Sequence, residues 1–147
     1  MKYRRKMDKI IKGIIFAVCA IVFFACISGG GGESSGTGDL KFGEIISESG
    51  TGGTHVIKVR VTPGYDNKTT VDQNYYNVAD FIRNHGGDEY NEIQYWAVMD
   101  ADGDGDEEKI ISFTVPKTLI TKISNNDVVD NTLGNYVKDL YVYPSLR

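Results

Sequence analysis

The chain has 147 residues, with 16 Lys and Arg against 20 Asp and Glu. Six of the basic residues but only one acidic residue lie in the first 12 positions, so the rest of the chain carries a net charge of about −9. That charge disfavours nucleic acid and anionic lipid as partners. No cysteine follows Cys26, so a modest hydrophobic core, rather than disulfides, must stabilise the remainder.

The first segment of the chain is typical of an export signal. Lys and Arg crowd residues 2–12, and residues 13–27 carry no charge. A basic end followed by about 7–15 apolar residues predicts a secretory signal, with the basic end retained on the cytoplasmic side. A spanning helix needs about 20 residues; this run approaches that length only if Lys12 reaches out to the interface. We therefore assign residues 1–27 to a signal peptide or membrane anchor.

The end of this segment resembles the lipobox of bacterial lipoproteins. It reads Phe23-Phe24-Ala25-Cys26, and Ala25 supplies the small residue before the cysteine. Phe23 stands where that family has Leu or another aliphatic residue. The resemblance implies cleavage before Cys26, lipidation of Cys26 and a location at the outer face of the cell membrane. An uncleaved single-span anchor and ordinary secretion after cleavage are the alternatives.

The next segment predicts a flexible spacer. Residues 28–39 read SGGGGESSGTGD, a composition that buries too little apolar surface to fold and behaves as a flexible coil. We therefore expect a tether here, followed by an extracytoplasmic domain over residues 40–147.

The domain begins with a predicted β-hairpin and a long helix. Residues 42–49 and 54–62 predict two strands, because β-branched and polar residues alternate in the second, and glycine-rich residues 50–53 predict the turn. Residues 71–84 predict a helix, since apolar residues recur on one helical face and a capping box begins at Thr70.

The second half predicts two strands, a short helix and a final strand. Residues 92–99 and 109–115 are rich in aromatic and β-branched residues and predict a central antiparallel hairpin. Pro116 opens a helix over residues 117–123, with Leu119, Ile120 and Ile123 facing inward. Residues 138–143 predict the last strand. The order of elements predicts a single small α+β domain, an antiparallel sheet with one main helix packed on one face.

The loop between the two central strands has a pattern suited to metal binding. It reads DADGDGDEE over residues 100–108, and alternate carboxylates with glycines that let the chain turn can converge on Ca²⁺. The start resembles an EF-hand loop, but Ile111 stands at the twelfth position, where EF-hands have Glu, and no helix is predicted on either side. The spacing more closely resembles the inter-strand calcium loop of FG-GAP repeats, as a local loop only. That resemblance implies five ligands: Asp100, Asp102, Asp104, Glu108 and, through its carbonyl, Asp106. A solvated hairpin tip is the alternative.

The remaining residues point away from catalysis. His55 and His85 are far apart in sequence, and the chain has no H-E-x-x-H motif. We expect a membrane-tethered lipoprotein that binds a protein, glycan or peptide and is not an enzyme; a cell-envelope hydrolase, or an accessory subunit of one, is the alternative. A cleft that joins a histidine to carboxylates would favour the hydrolase. Exposed rings around Tyr141 and Tyr143 would favour sugar or protein binding.

Overall fold

A computed structural model describes residues 38–147. In this range the chain forms six strands and two α-helices. In chain order these are β1 (Gly38–Leu40), β2 (Gly43–Thr51), β3 (Thr54–Val61), α1 (Asn67–Asn84), β4 (Glu92–Met99), β5 (Glu108–Pro116), α2 (Lys117–Ser124) and β6 (Lys138–Val142). Short 3-10 turns occupy Gly87–Glu89, Asp130–Asn135 and Pro144–Leu146.

All six strands form one sheet, in which each strand lies beside the next one along the chain. The predicted α+β class, with a sheet and one main helix, is confirmed. One pair differs from the predicted antiparallel arrangement, because β3 and β4 run parallel. The reason is the connection: α1 carries the chain back across the sheet, so β4 starts at the same end as β3, as a helical crossover allows and a tight turn does not.

The sheet also starts earlier than the sequence indicates. β1 pairs with β2, with Gly38 opposite Ile45 and Leu40 opposite Gly43. It therefore includes Gly38 and Asp39, the last two residues of the segment predicted to be a tether. β1 has only three residues and lies between glycine-containing segments, so it is too short to show the alternation of a strand. This edge strand therefore could not be predicted from the sequence.

The main helix begins four residues before its predicted start at residue 71. Asp66 is the N-cap, and its carboxylate accepts the backbone N–H of Thr69 (2.7 Å). This bond satisfies one of the amide groups that have no partner in the first helical turn, and it lowers the pKa of Asp66. The predicted capping role of Thr70 is wrong: its hydroxyl donates to the carbonyl of Asp66 (2.9 Å) and is buried inside the helix.

One face of α1 and one face of the sheet form the core. Val78 and Ile82 of the helix are fully buried. Ile57, Tyr95 and Phe113 pair across β3, β4 and β5, so they project to the same side of the sheet, and all three are buried. Burial of each such side chain contributes roughly 1.5–3 kcal/mol, which makes this face the main source of stability.

A buried polar network fixes how α1 sits on the sheet. The Tyr95 hydroxyl donates to Asn74 Oδ1 (2.8 Å) and accepts from Asn77 Nδ2 (3.3 Å). Asn77 Oδ1 in turn accepts the backbone N–H of Phe42 (2.7 Å). Burial raises the pKa of the Tyr95 hydroxyl, because the phenolate would lose its hydration. The network therefore joins the helix to β4 and to the start of β2 with every partner satisfied.

The short helix α2 packs as predicted and is bound to the end of α1. Its buried residues are Leu119, Ile120 and Ile123. Arg83 of α1 donates through Nε to the carbonyl of Ile123 (3.0 Å) and through both terminal nitrogens to Asp130 (2.9 and 2.7 Å). This bidentate pair raises the pKa of Arg83 and joins three elements on the helical side of the sheet.

Both helices lie on the same side of the sheet. α2 and all three 3-10 turns contact α1, and their buried side chains belong to one core. In residues 38–147 no helix covers the opposite side. The domain thus has two layers, and one face of its sheet is left without a helical layer.

Candidate functional site

The loop between β4 and β5 folds around its own carboxylates. Asp100 accepts the N–H of Gly103 (2.7 Å) and of Gly105 (3.1 Å), one on each oxygen. Both glycines have positive φ, 77° and 91°, which only glycine adopts without steric cost. Glu108, at the start of β5, accepts the N–H of Ala101 (3.1 Å). These bonds close the turn and join its two ends.

Three of the five predicted metal ligands come together. One carboxylate oxygen from each of Asp100, Asp102 and Glu108 lies within 4.8 Å of the other two. Calcium binds oxygen at 2.3–2.6 Å, so two ligands of one ion are at most about 5 Å apart. Asp100 and Asp102 are exposed and Glu108 is half-buried, which leaves room for water to complete a coordination shell. The donor set is therefore suitable for a hard divalent cation.

Asp104, the fourth predicted carboxylate ligand, lies outside this cluster. It accepts the N–H of Asp106 (2.9 Å), which directs its carboxylate onto the loop backbone. Glu107, which was not predicted as a ligand, pairs with Arg60 of β3 instead. The structure therefore brings together three of the four predicted carboxylates, and the role of the Asp106 carbonyl stays a prediction.

The second candidate is the side of the sheet that faces away from α1, which we call the open face. Directly paired residues project to the same side of a sheet, so the register assigns it two rows across β3, β4, β5 and β6. The first row is Lys58, Trp96, Ser112 and Tyr141. The second row is Val56, Gln94, Thr114 and Lys138.

Lys109 lies on the same face and is held by two aromatic rings. Its ammonium is 4.9 Å from the ring centre of Trp96 and 4.8 Å from that of Tyr141. Cation–π attraction of this kind contributes about 0.5–1 kcal/mol at an exposed site. It positions the ammonium without neutralising it, so the charge stays available to an anion.

The lysines of the open face have no ion-pair partner in the described part of the chain. No carboxylate there lies within ion-pair distance of Lys58, Lys109 or Lys138. Arg60, on the same strand as Lys58, differs because Glu44 and Glu107 both pair with it. On a strongly acidic chain, three such cations on one face form a local region of opposite charge.

His55 is enclosed rather than presented to solvent. Its ring is parallel to Tyr90 at 4.0 Å and to Phe81 at 5.7 Å between centroids, and Nε2 lies 2.9 Å from Glu48. Gly50 pairs opposite, where a Cβ atom would lie 3.0 Å from the imidazole Nδ1. The glycine therefore leaves space for the ring.

A shallow groove lies between α1 and β6, and neither histidine lines it. Its volume is about 580 Å³, and it is lined by Asn67, Lys68, Val71, Leu140, Val142, Leu146 and Arg147. His85 lies near the end of α1, 3.6 Å from Asp80. The groove thus has an apolar floor and a basic rim and brings no histidine to a carboxylate.

Cys26 and the predicted signal lie outside the described residues. Within residues 38–147 no helix is both long and apolar enough to cross a membrane. Comparison of the chain with protein-family models, curated proteins and solved structures gives no match. The loop and the open face are therefore the two candidate functional sites of the described residues.

The lysines of the open face were not predicted as a site from the sequence. Lys58 alternates with buried Ile57 and Val59 along β3, which is a signal for a solvent-facing position. That Lys58, Lys109 and Lys138 share one face follows only from the strand order, which the periodicity of the sequence does not reveal. Tyr141 and Tyr143, whose exposure would favour sugar or protein binding, are both half-buried.

Proposed function

We propose that the protein is a non-enzymatic binding module, held at the outer face of the cell membrane by a lipid on Cys26, which presents the open face to a ligand. The observation that carries the proposal is the contrast between the two sides of the sheet. The helical side has a complete core. The open face combines the rings of Trp96 and Tyr141 with Lys58, Lys109 and Lys138, and these lysines form no ion pair within the described residues.

Membrane attachment is supported by the lipobox-like sequence before Cys26. Mass spectrometry of the membrane fraction should find diacylglycerol on a mature chain that begins at Cys26, and Cys26→Ala should accumulate as an unprocessed precursor. An N-terminal peptide that begins at Met1 in the wild-type membrane protein would indicate the single-span alternative. Lipid-free, processed protein in the medium would indicate secretion.

We further propose that the loop binds Ca²⁺ in a structural role. The support is the cluster of Asp100, Asp102 and Glu108, whose three oxygens lie within the span of one ion. Calcium at 100 times its Kd should raise the free energy of unfolding by about 2.7 kcal/mol. Asp102→Asn should abolish the rise, whereas Asp106→Asn, outside the cluster, should keep most of it. Equal loss in both variants would mean that general acidity, and not this cluster, holds the ion.

A cell-envelope hydrolase is the second candidate, because His55 lies 2.9 Å from a carboxylate of Glu48, a pairing that can orient a general base. The full-length protein in detergent should bind soluble envelope polymers without releasing new reducing ends or amino groups. Release that is lost in His55→Gln would instead establish the hydrolase. We favour the binding module because Tyr90 and Phe81 stack on this imidazole and leave it 7% exposed.

A further inference from the structure

The spacing of the three lysines on the open face indicates what kind of anion they meet; this step rests on the proposed function of that face. Lys58 and Lys109 are two strands apart and offset by two residues, and Lys138 is displaced along the sheet from both. With strands about 4.8 Å apart and a rise of about 3.3 Å per residue, the three Cα atoms are separated by about 12–16 Å. The positive charges are therefore sparse rather than contiguous.

The residues between the lysines are neutral and can form hydrogen bonds. Ser112 stands in the same row as Lys58, and Gln94 and Thr114 stand in the same row as Lys138. Hydroxyl and amide groups of this kind donate to and accept from sugar hydroxyls equally well. The ligand that matches this pattern has anionic groups separated by neutral, hydroxyl-rich units.

The rest of the domain disfavours a densely charged polymer. The chain beyond its basic N-terminus has a net charge of about −9. Glu92 stands in the row next to Gln94, and Glu44 and Glu107 flank the opposite end of the face at Arg60. A nucleic acid, with a phosphate at every residue, would meet these carboxylates and be repelled. A polymer with fewer charges can place them at the lysines alone.

We propose that the open face binds an acidic polysaccharide, a glycan whose anionic groups contact Lys58, Lys109 and Lys138 while neutral sugar units lie between them. Lys109 is the central contact, because the rings of Trp96 and Tyr141 hold its ammonium in place before the ligand arrives.

The test compares binding of defined polymers to the full-length protein in detergent. The probes are hyaluronan, in which a uronate alternates with a neutral amino sugar, fully methyl-esterified hyaluronan, polygalacturonate, which has a carboxylate on every sugar, poly-glutamate and oligo-thymidylate. We expect hyaluronan to bind at least tenfold more tightly than its ester, and more tightly than polygalacturonate, with affinity that falls as salt rises. Polygalacturonate distinguishes recognition of spaced charges from attraction to any acidic glycan.

Substitutions assign the binding to this face. The triple variant Lys58→Gln/Lys109→Gln/Lys138→Gln should lose at least tenfold in affinity, and Lys109→Arg should keep most of it. Lys41→Gln is the matched control, because its ammonium also lies on two rings, those of Phe42 and Tyr76, at 5.6 and 4.8 Å, but it lies beside α1. Thermal unfolding of each variant verifies that the fold is retained.

The remaining outcomes separate this inference from the proposed function. Tighter binding of poly-glutamate or oligo-thymidylate, lost in the triple variant, would overturn the polysaccharide and leave the open face as the binding surface. Equal binding of hyaluronan and its ester would exclude charge recognition, and tighter binding of polygalacturonate would overturn the proposed spacing of the charges. Binding that the triple variant keeps in full, or no binding of any probe, would overturn both proposals for this face.

Discussion

The two sides of the sheet in this domain differ in how strongly packing constrains their side chains. Phe113 and Thr114 are neighbours on β5, yet Phe113 is 2% exposed against α1 whereas Thr114 stands half-buried on the open face. Tyr95 and Trp96 differ in the same way on β4. On the covered side each side chain is held by packing or by a hydrogen bond. On the open side, residue type is not dictated by the core, so its lysines and rings are informative about binding.

The largest expected effect is the loss of a core ring. Phe113→Ala should lower the free energy of unfolding by about 3–5 kcal/mol, because it removes buried surface and leaves a cavity beneath α1. Thr114→Ala, one residue away, should change it by no more than about 0.5 kcal/mol. Urea unfolding of both variants measures the difference, and similar losses would show that the open face is part of a second core.

A smaller effect is expected from one hydroxyl. Tyr95→Phe should cost about 1–3 kcal/mol, because Asn74 Oδ1 loses its donor inside the core. Tyr141→Phe makes the same chemical change on the open face and should cost less than about 0.5 kcal/mol. The same urea measurement suffices. A loss in Tyr141→Phe as large as that in Tyr95→Phe would mean that the open face contains its own buried polar contacts.

The same hydroxyl predicts how stability depends on pH. Burial raises the pKa of Tyr95 above its ordinary value, so the unfolded chain releases this proton first as the pH rises. The stabilisation linked to the protonated Tyr95 hydroxyl is complete below the pKa of a tyrosine in the unfolded chain, about 10, and decreases as the pH rises above that value. The free energy of unfolding should therefore fall between about pH 10 and 11. The fall should be shallower in Tyr95→Phe but not absent, because burial also raises the pKa of Tyr75 and Tyr90.

Sequence reasoning succeeded where periodicity carries the signal. The alternation of Ile57 and Val59 with polar residues located β3, and the predicted inward residues of α2 are buried. It was wrong about the helix start, because Asp66 and Thr70 are both good capping residues and only the geometry chooses between them. The parallel β3–β4 pair and the rows of the open face depend on strand order, which is a property of long-range pairing rather than of local sequence.

The candidate metal loop was likewise predictable from the sequence only in part. Its acidic residues and glycines were evident in the sequence, and the positive φ of Gly103 and Gly105 agrees with the turn that they predicted. Which carboxylates converge was not evident, because it depends on local hydrogen bonds. Asp104 is directed away by the N–H of Asp106, whereas Glu108 is brought in by the N–H of Ala101.

The smallest expected effect on stability is that of a substitution at Lys109, which should lower ligand affinity while leaving the fold almost unchanged. Lys109→Gln removes a cation–π contact and should lower the free energy of unfolding by no more than about 1 kcal/mol, much as Lys41→Gln should at the matched site beside α1. Thermal unfolding of the two variants gives the comparison. A cost near that of Phe113→Ala would make Lys109 a structural residue. A small cost in both, with ligand affinity lost only in Lys109→Gln, means that the charge on the open face contributes to recognition rather than to folding.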